Sequence, residues 1–535
     1  MSPRRRAALA CLLLVLLLLA LVTPVAATAL GSRGRAAAVT TLSAQAPLLG
    51  NTMLLGVLQA SLTLLLASRM ALLATRRAPG RRLVHLACLA PLLMPPYTMA
   101  LALVVTAGHN GLLRRHGGEL LPSVYGLGGM VVAGSLSLLP HAYLALLAAE
   151  RAVDPGLVEA ARSLGLSPGQ ARRRVVWPRL AAVAAATWLM VFAEAITDLA
   201  NPLVLGGGYE VLASRVQLAV VAESDLPAAA SAALLLSVPT IVVFLLGGMV
   251  GARPIAVRGL VSLSRAPAPA QRARPDEVVL GWLVAGGVLA LLGSVMVGAV
   301  VREIGVDDRP TAVHLADVVA GPHTVALGNS LLLALLVLPL CGGLALLLAW
   351  ALRCGPEPLP APARLARRLL GVLAALPGVA VGLALFMVLL RLAPNPSTAW
   401  LDPFGWGAAL AVAVVHLVRT LPGTVQPVLD ALDRRGQELD EAARVLGGSR
   451  RQRSRVALPV VGGALLPALV ANFSRTLTAV SSVILLSNSH VPLLSVRALV
   501  ESGSGRVGSA CAMAVCLAAV TGAVTLVCAP GRGRP

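Results

Sequence analysis

Uncharged, mostly apolar runs of about 20 residues, the length of a membrane-crossing helix, recur twelve times along the chain and alternate with short arginine-bearing segments. They lie near residues 9–29, 49–75, 83–107, 122–149, 180–205, 226–251, 278–301, 324–352, 367–390, 404–429, 460–486 and 508–529. The pattern predicts an all-α polytopic membrane protein with about 12 transmembrane helices. With Arg4, Arg5 and Arg6 in the cytoplasm, 32 of the 44 basic residues fall at the inner face and 10 outside, and Arg419 and Arg475 lie within spans. Positive charge favours the cytoplasmic side, so a multi-pass protein of the plasma membrane with both termini in the cytoplasm is expected. The first run also reads as a signal peptide, with Arg4 to Arg6 as its basic end and Val25-Ala26-Ala27 or Ala27-Thr28-Ala29 as a cleavage site. A retained span is preferred, because the run at 278–301 would otherwise lack a partner in the repeat that follows.

The two halves are copies. Glu159-Ala160-Ala161-Arg162 recurs as Glu441-Ala442-Ala443-Arg444, an offset of 282 residues that also relates Ala102-Leu103 to Ala384-Leu385. Pro178 and Phe192 match Pro459 and Phe473 at an offset of 281, and Gly50-Asn51 matches Gly328-Asn329. An even number of spans per copy sets both the same way up, which gives parallel repeats about an axis along the membrane normal. The expected division is a first transmembrane unit at 1–260, a cytoplasmic linker at 261–277 rich in proline and arginine between Ala266 and Pro275, and a second transmembrane unit at 278–535.

Composition narrows the chemistry. With 57% hydrophobic and 13% charged residues, the chain is not a soluble enzyme. All of its basic residues are arginine, so it has neither a P-loop lysine nor a lysine base, and any energy from ATP must come through another subunit. The formal charge of +21 would suit nucleic acid, but basic groups between apolar runs are accounted for by topology and membrane lipid. Nucleic acid is not expected as a partner. The cysteines Cys11, Cys88, Cys341, Cys354, Cys511, Cys516 and Cys528 form no CxxC pair, and no histidine stands at metal-ligand spacing from another ligand residue. Neither a metal nor a cofactor is expected.

Spans four and five are joined by a long cytoplasmic segment whose twin joins spans ten and eleven. In the first, Asp154 and Pro155 open a helix that runs through Leu157, Ala160, Ala161 and Leu164 to a stop at Gly165. Ser167-Pro168 starts a second short helix that bears Arg172, Arg173 and Arg174 and ends before Pro178. The twin has Leu439, Ala442, Ala443 and Leu446, stops at Gly447, restarts at Ser449, and is one residue shorter between glycine and proline. A lone segment of this kind would read as a helix lying in the lipid interface. Two copies with alanine faces suit close packing in a groove of a partner protein.

Glu159-Ala160-Ala161-x-x-x-Gly165 with Pro178, and Glu441-Ala442-Ala443-x-x-x-Gly447 with Pro459, resemble the EAA loops of binding-protein-dependent ABC importer permeases. The resemblance implies a fused two-unit permease that forms the translocation pathway, makes no ATP hydrolysis of its own, docks two copies of an ABC ATPase subunit through these residues, and works with an extracytoplasmic substrate-binding protein.

Span five carries Glu194 and Asp198, expected one helical turn apart on the same face, followed by Asn201-Pro202. Acids are costly at the bilayer centre and usually face a pathway or a partner helix; tying helices together is the alternative role for this pair. The stretch from Glu194 to Gly207, and Arg475 to Ile484 in the second half, resemble ferric-iron-type permeases, although Leu199 and Ala200 replace the aromatic and glycine usual there. Ferric iron is the implied cargo, with aminoethylphosphonate, thiamine or polyamine as alternatives. Subtracting 281 from 475 returns 194, so Glu194 and Arg475 are equivalent positions. Together they are expected to pair across the repeat axis as part of a gate, with Asp198 and Asn201 lining the route beyond. A proton-coupled secondary transporter would also have parallel halves but needs no docking loops. A membrane transferase would want carboxylates or histidines clustered at one face, where this chain has only scattered acids such as Glu223, Asp225, Asp307 and Asp308.

Overall fold

The computed structural model describes residues 3–31, 43–115, 123–153, 155–249, 272–304, 307–352, 360–447 and 449–528. Asp154 and most of the linker lie outside this set. Ten described helices are long and apolar enough to cross a membrane, and two bent pairs bring the number to twelve. Apart from one two-stranded ribbon, Val301–Glu303 with Asp307–Pro310, and an isolated bridge between Arg77 and Arg272, the described residues are helical or in irregular connections.

The spans expected as straight helices at 83–107 and 367–390 are instead broken. Arg81–Leu93 meets Thr98–Arg114 at 107°, and Ala361–Ala375 meets Gly378–Leu392 at 93°. Proline is the cause at both breaks. It disfavours helical geometry in the residue before it, and Met94 (ψ 152°) and Leu376 (ψ 133°) are extended ahead of Pro95 and Pro377, which are themselves 282 residues apart. Each break leaves a carbonyl without its helical donor, and the neighbouring span supplies one. The Ser137 hydroxyl donates to the Pro96 carbonyl at 2.6 Å. At the equivalent position of span ten, the Arg419 guanidinium donates to the Leu376 carbonyl, also at 2.6 Å.

The repeat is visible in other hydrogen bonds. Thr52 and Ser330 accept from the backbone N–H groups of Leu212 and Leu494, each at 2.9 Å, while Asn51 and Asn329 donate to the carbonyls of Glu210 and Pro492. These bonds seat two short helices, Leu212–Val221 and Leu494–Gly503, that fall between the apolar runs of the sequence and are too brief to cross a bilayer.

The units are interlaced. Span one (Pro3–Gly31) packs on both arms of the broken span nine, and span seven (Pro275–Val300) packs on both arms of the broken span three. Arg6 stacks over the Trp350 ring at 4.1 Å and Arg391 donates to the Thr28 hydroxyl. At the start of span seven, Glu277 accepts from Arg76 at 2.5 and 2.6 Å in a largely buried pair. Cys11, Cys88, Cys341 and Cys511 are buried and unbridged, as expected of packing residues.

Candidate coupling loops and translocation pathway

In the first loop Pro155–Ser163 forms a separate helix, started by a proline whose missing N–H costs nothing at a helix N-terminus. It ends in a Schellman motif: Leu166 N–H donates to the Ala161 carbonyl at 3.2 Å, Gly165 N–H to the Arg162 carbonyl at 2.9 Å, and Gly165 has φ +87°. The chain then restarts in a capping box that the sequence reading missed. Gln170 N–H donates to the Ser167 hydroxyl and Ser167 N–H to the Gln170 side chain, the Ser-x-x-Gln signature, which recurs in sequence at Ser449 and Gln452.

The second short helix does not end before Pro178. It continues through a π-turn, Arg172–Val176, into span five, Trp177–Thr197. A π-turn holds one residue more than an α-turn, and Trp177 N–H accordingly reaches back to the Arg172 carbonyl. The second half runs as an unbroken helix, Arg450–Thr478. The one-residue length difference between the loops is therefore an insertion absorbed by the π-turn, and spans five and eleven stay in register. Arg172 also bonds Glu150 at 2.7 Å, which fastens the turn to the end of span four.

The loops differ in how they leave the membrane. Span four, Leu127–Arg151, stops before the loop helix, whereas span ten continues without interruption through the second loop as Gly407–Val445. Pro155 is replaced by Gln437 at the equivalent position, so nothing there breaks the helix. At 39 residues this rod is about 58 Å long at 1.5 Å per residue, nearly twice the hydrocarbon thickness. Gly447 ends it with φ +73°, close to the value at Gly165. Arg367 pairs with Asp433 on the rod at 2.8 Å, so span nine touches the rod at two levels, here and at Arg419.

The expected apolar face is divided. Ala161 is buried in a loop whose helix packs against the π-turn, while Glu159 and Ala160 are exposed and Leu164 is 85% exposed. In the second loop Ala442 is exposed and Leu446 is also 85% exposed; of Glu441 and Ala443 only the backbone is described. Each loop thus ends in a large, uncovered leucine beside its glycine stop.

Spans five and eleven expose the same positions. Pro178, Ala182, Ala185 and Glu194 are exposed on one, and Pro459, Gly463, Leu466 and Arg475 on the other, four equivalents at the 281-residue offset. Glu194 and Arg475 face shared surroundings: both act electrostatically on His141 of span four and both act on Arg419 of span ten. No hydrogen bond or ion pair joins Glu194 to Arg475 among the described residues. Asp198 does not share a helix face with Glu194, because span five ends at Thr197 and Asp198 is extended (ψ 124°). Its carboxylate caps the short helix Ala200–Leu205, accepting from Ala200 N–H at 3.0 Å and from the Asn201 amide. Asn201 is buried, with its carbonyl oxygen unpartnered among the described residues. His141 and Arg419 were not singled out by sequence reasoning as members of this cluster; a histidine and an arginine inside apolar spans were the available signal. No group of three metal-ligating side chains occurs among the described residues.

Twelve membrane-crossing elements in two repeated halves, interlaced through their first spans and each with a loop that ends at a positive-φ glycine, are the architecture of a two-unit multi-pass membrane protein. Residues 63–255 and 357–529 each match the family described as binding-protein-dependent transport system inner membrane component, and the chain belongs to that family. It is 25% identical over 463 residues to the ferric transport system permease protein FbpB of Actinobacillus pleuropneumoniae, which covers 82% of this chain and 64% of the relative. A putative ferric transport system permease, FbpB 1 of Haemophilus influenzae, is 25% identical over 74% of this chain and 63% of its own length. The chain thus spans a little under two thirds of these two relatives. The thiamine transport system permease protein ThiP of Brucella suis is 30% identical over 142 residues, 26% of each chain.

Proposed function

We propose that the chain forms the translocation pathway of an ABC importer that is driven by a separate ATPase subunit, is supplied by an extracytoplasmic binding protein, and carries ferric iron. The observation that carries this reading is the pair of loops with glycine stops at positive φ and uncovered leucines beside them, in a chain without lysine. Glu159, Ala160, Ala161 and Gly165, with Glu441, Ala442, Ala443 and Gly447, are assigned to the ATPase contact. This puts the loops and both termini in the cytoplasm. Ferric iron is favoured over aminoethylphosphonate, thiamine and polyamine because the ferric relatives align over most of the chain and the thiamine relative over about a quarter.

Purified alone, the chain is expected to show no ATP hydrolysis. From its own membranes it is expected to co-purify with a P-loop ATPase at one permease to two ATPase subunits, as determined by mass of the intact complex. Intrinsic hydrolysis by the isolated chain would overturn the assignment.

Glu194 and Arg475 are assigned to the gate, with Asp198 and Asn201 beyond it on the route. Opposite charges at equivalent positions can close a pathway by pairing, and both remain solvated when water fills the opened route. Glu194→Arg and Arg475→Glu are each expected to reduce uptake at least tenfold, and the charge-swapped double variant to recover much of it. A double variant no better than the worse single variant means the two side chains do not pair.

A further inference from the structure

At their arginine-bearing ends, span one and span nine leave a cavity of about 870 Å³ between them, within the size range of small-molecule sites. Span one lines it with Ala8, Cys11, Leu12 and Val15, which recur at helical spacing on one face, and the lining from span nine includes Leu365, Arg364 and Arg368. Leu12 and Leu365 are 54% and 47% exposed, so the cavity is a groove open to the surrounding lipid. Arg364 and Arg368 stand one turn apart on the same helix face, a spacing at which like charges repel, and neither has a hydrogen-bond or ion-pair partner among the described residues. Arg367, between them, lines no part of the cavity and pairs with Asp433 on the rod. At the head of span one, Arg6 stacks on the exposed Trp350 ring, and aromatic residues of that kind mark the membrane–water boundary; the groove therefore begins at headgroup depth. The feature recurs in the other seam, where the chain entering span seven meets the start of span three: a cavity of about 520 Å³ is edged there by Arg77, Arg81 and Arg272. Its remaining lining is alanine and proline, without a leucine. Topology accounts for arginines at this face. It does not account for two like charges brought to one side of an apolar groove at the place where the units are laced together.

We infer that the groove between span one and span nine is the seat of one anionic phospholipid, its phosphate held between Arg364 and Arg368 and its acyl chains laid against Leu12 and Leu365. Guanidinium groups suit the oxygens of a phosphate better than any other side chain, and basic clefts between membrane helices are fitted to anionic headgroups. The negative charge also relieves the repulsion between the two arginines. A soluble phosphate would use the arginines and leave the leucines without a role; the leucines select the lipid. Bound there, the lipid fastens the first span to the second unit at one end of a seam whose polar tie from Arg391 to Thr28 lies at the other end. The inference depends on neither the cargo nor the ATPase.

The test titrates the purified full-length chain, in mild detergent, with phosphatidylglycerol, phosphatidylcholine or inorganic phosphate, counts bound molecules by native mass spectrometry, and follows thermal stability in parallel. The wild type is expected to retain phosphatidylglycerol about tenfold more tightly than phosphatidylcholine and to melt several degrees higher in its presence. Arg364→Gln combined with Arg368→Gln should bind one phosphatidylglycerol fewer per chain and lose most of the added stability. With phosphatidylcholine alone the same variant should be no less stable than the wild type, because only a repulsion has been removed. Arg364→Lys with Arg368→Lys keeps both charges and should retain phosphatidylglycerol to within a few-fold of the wild type. Equal retention of the two lipids by the wild type, or an unchanged phosphatidylglycerol count in the double glutamine variant, overturns the inference. Inorganic phosphate that displaces the lipid and stabilises the chain as well as it does also overturns it, and makes the site one for a free anion. Should the glutamine variant fail to fold, a photoactivatable phosphatidylglycerol on the wild type decides the matter: crosslinks to span one or span nine that phosphatidylglycerol competes away and phosphatidylcholine does not support the seat, and crosslinks confined to other segments overturn it.

Discussion

Gly165→Val combined with Gly447→Val is expected to leave a chain that inserts normally, yet captures its ATPase weakly and transports at no more than a few per cent of the wild-type rate. Both glycines have positive φ, +87° and +73°, a region that β-branched residues scarcely enter. Nothing lies within 4 Å of where a Cβ would stand at either position, so the cost is one of backbone alone, about 1–3 kcal/mol each. At 1.4 kcal/mol per tenfold in affinity, each replacement should weaken docking by roughly 5- to 150-fold. Asparagine tolerates this conformation, and Gly165→Asn with Gly447→Asn should stay near wild type, which separates strain from bulk. Of the single variants Gly165→Val should be the more severe, since Gly165 turns a separate nine-residue helix back onto the π-turn it packs against, whereas Gly447 ends a continuous 39-residue helix. Pull-down of the ATPase and uptake in vesicles measure both effects. Full transport by the double valine variant would remove the loops from the coupling path.

Gln437→Pro should uncouple the transporter without detaching it. The substitution gives the second loop the residue with which the first loop breaks its helix. A proline ring at 437 would meet the carbonyl of Asp433, and its missing N–H would free that carbonyl, a cost of about 3 kcal/mol to a continuous helix. Pro422 and Pro427 already lie in the rod, but within the membrane part, where the rod packs against span eleven and Asn472 of that span donates to the Thr420 carbonyl and the Thr424 hydroxyl. Position 437 lies beyond that support. The expected result is ATPase binding close to wild type, with uptake per ATP reduced at least tenfold. Equal coupling in the variant means that force does not travel along the rod.

Most of the architecture was legible because membrane solvation enforces it: a run of about 20 apolar residues has few options besides a helix. The repeat was legible because motif residues stayed at fixed offsets. What hydropathy could not show were the points where the backbone leaves the helix inside the membrane. Pro95 and Pro377 sit in runs that remain apolar across the break, so the hydrophobic signal bridges what the backbone does not. The pairing of Glu194 with Asp198 on one helix face followed from four-residue spacing, which holds only while the helix lasts; Asp198 and Asn201 instead make the local bonds that favour such side chains at caps. The length difference between the loops was visible in the sequence, but its absorption by a π-turn depends on the helix either side staying packed. Arg419 stood out as a charge within a span, while its carbonyl partner 43 residues away depended on tertiary structure.

The interlacing of the first spans sets an order on synthesis. Span one ends at Gly31, and its partner helices on span nine begin at Ala361 and end at Leu392. At about 5–20 residues per second of translation, the ribosome needs roughly 15–75 seconds to make what span one waits for. Span six (Leu226–Met249), which also packs on span one, is made earlier; until span nine follows, span one stands with its other side in lipid, and an uncharged stretch from Ala7 to Ala29 lets it do so at little cost. Span seven meets no such delay, because both arms of span three are already in place when it emerges. A mutation that adds charge to span one should therefore act first during biogenesis, as loss of the nascent chain, before any effect on the finished transporter is measurable.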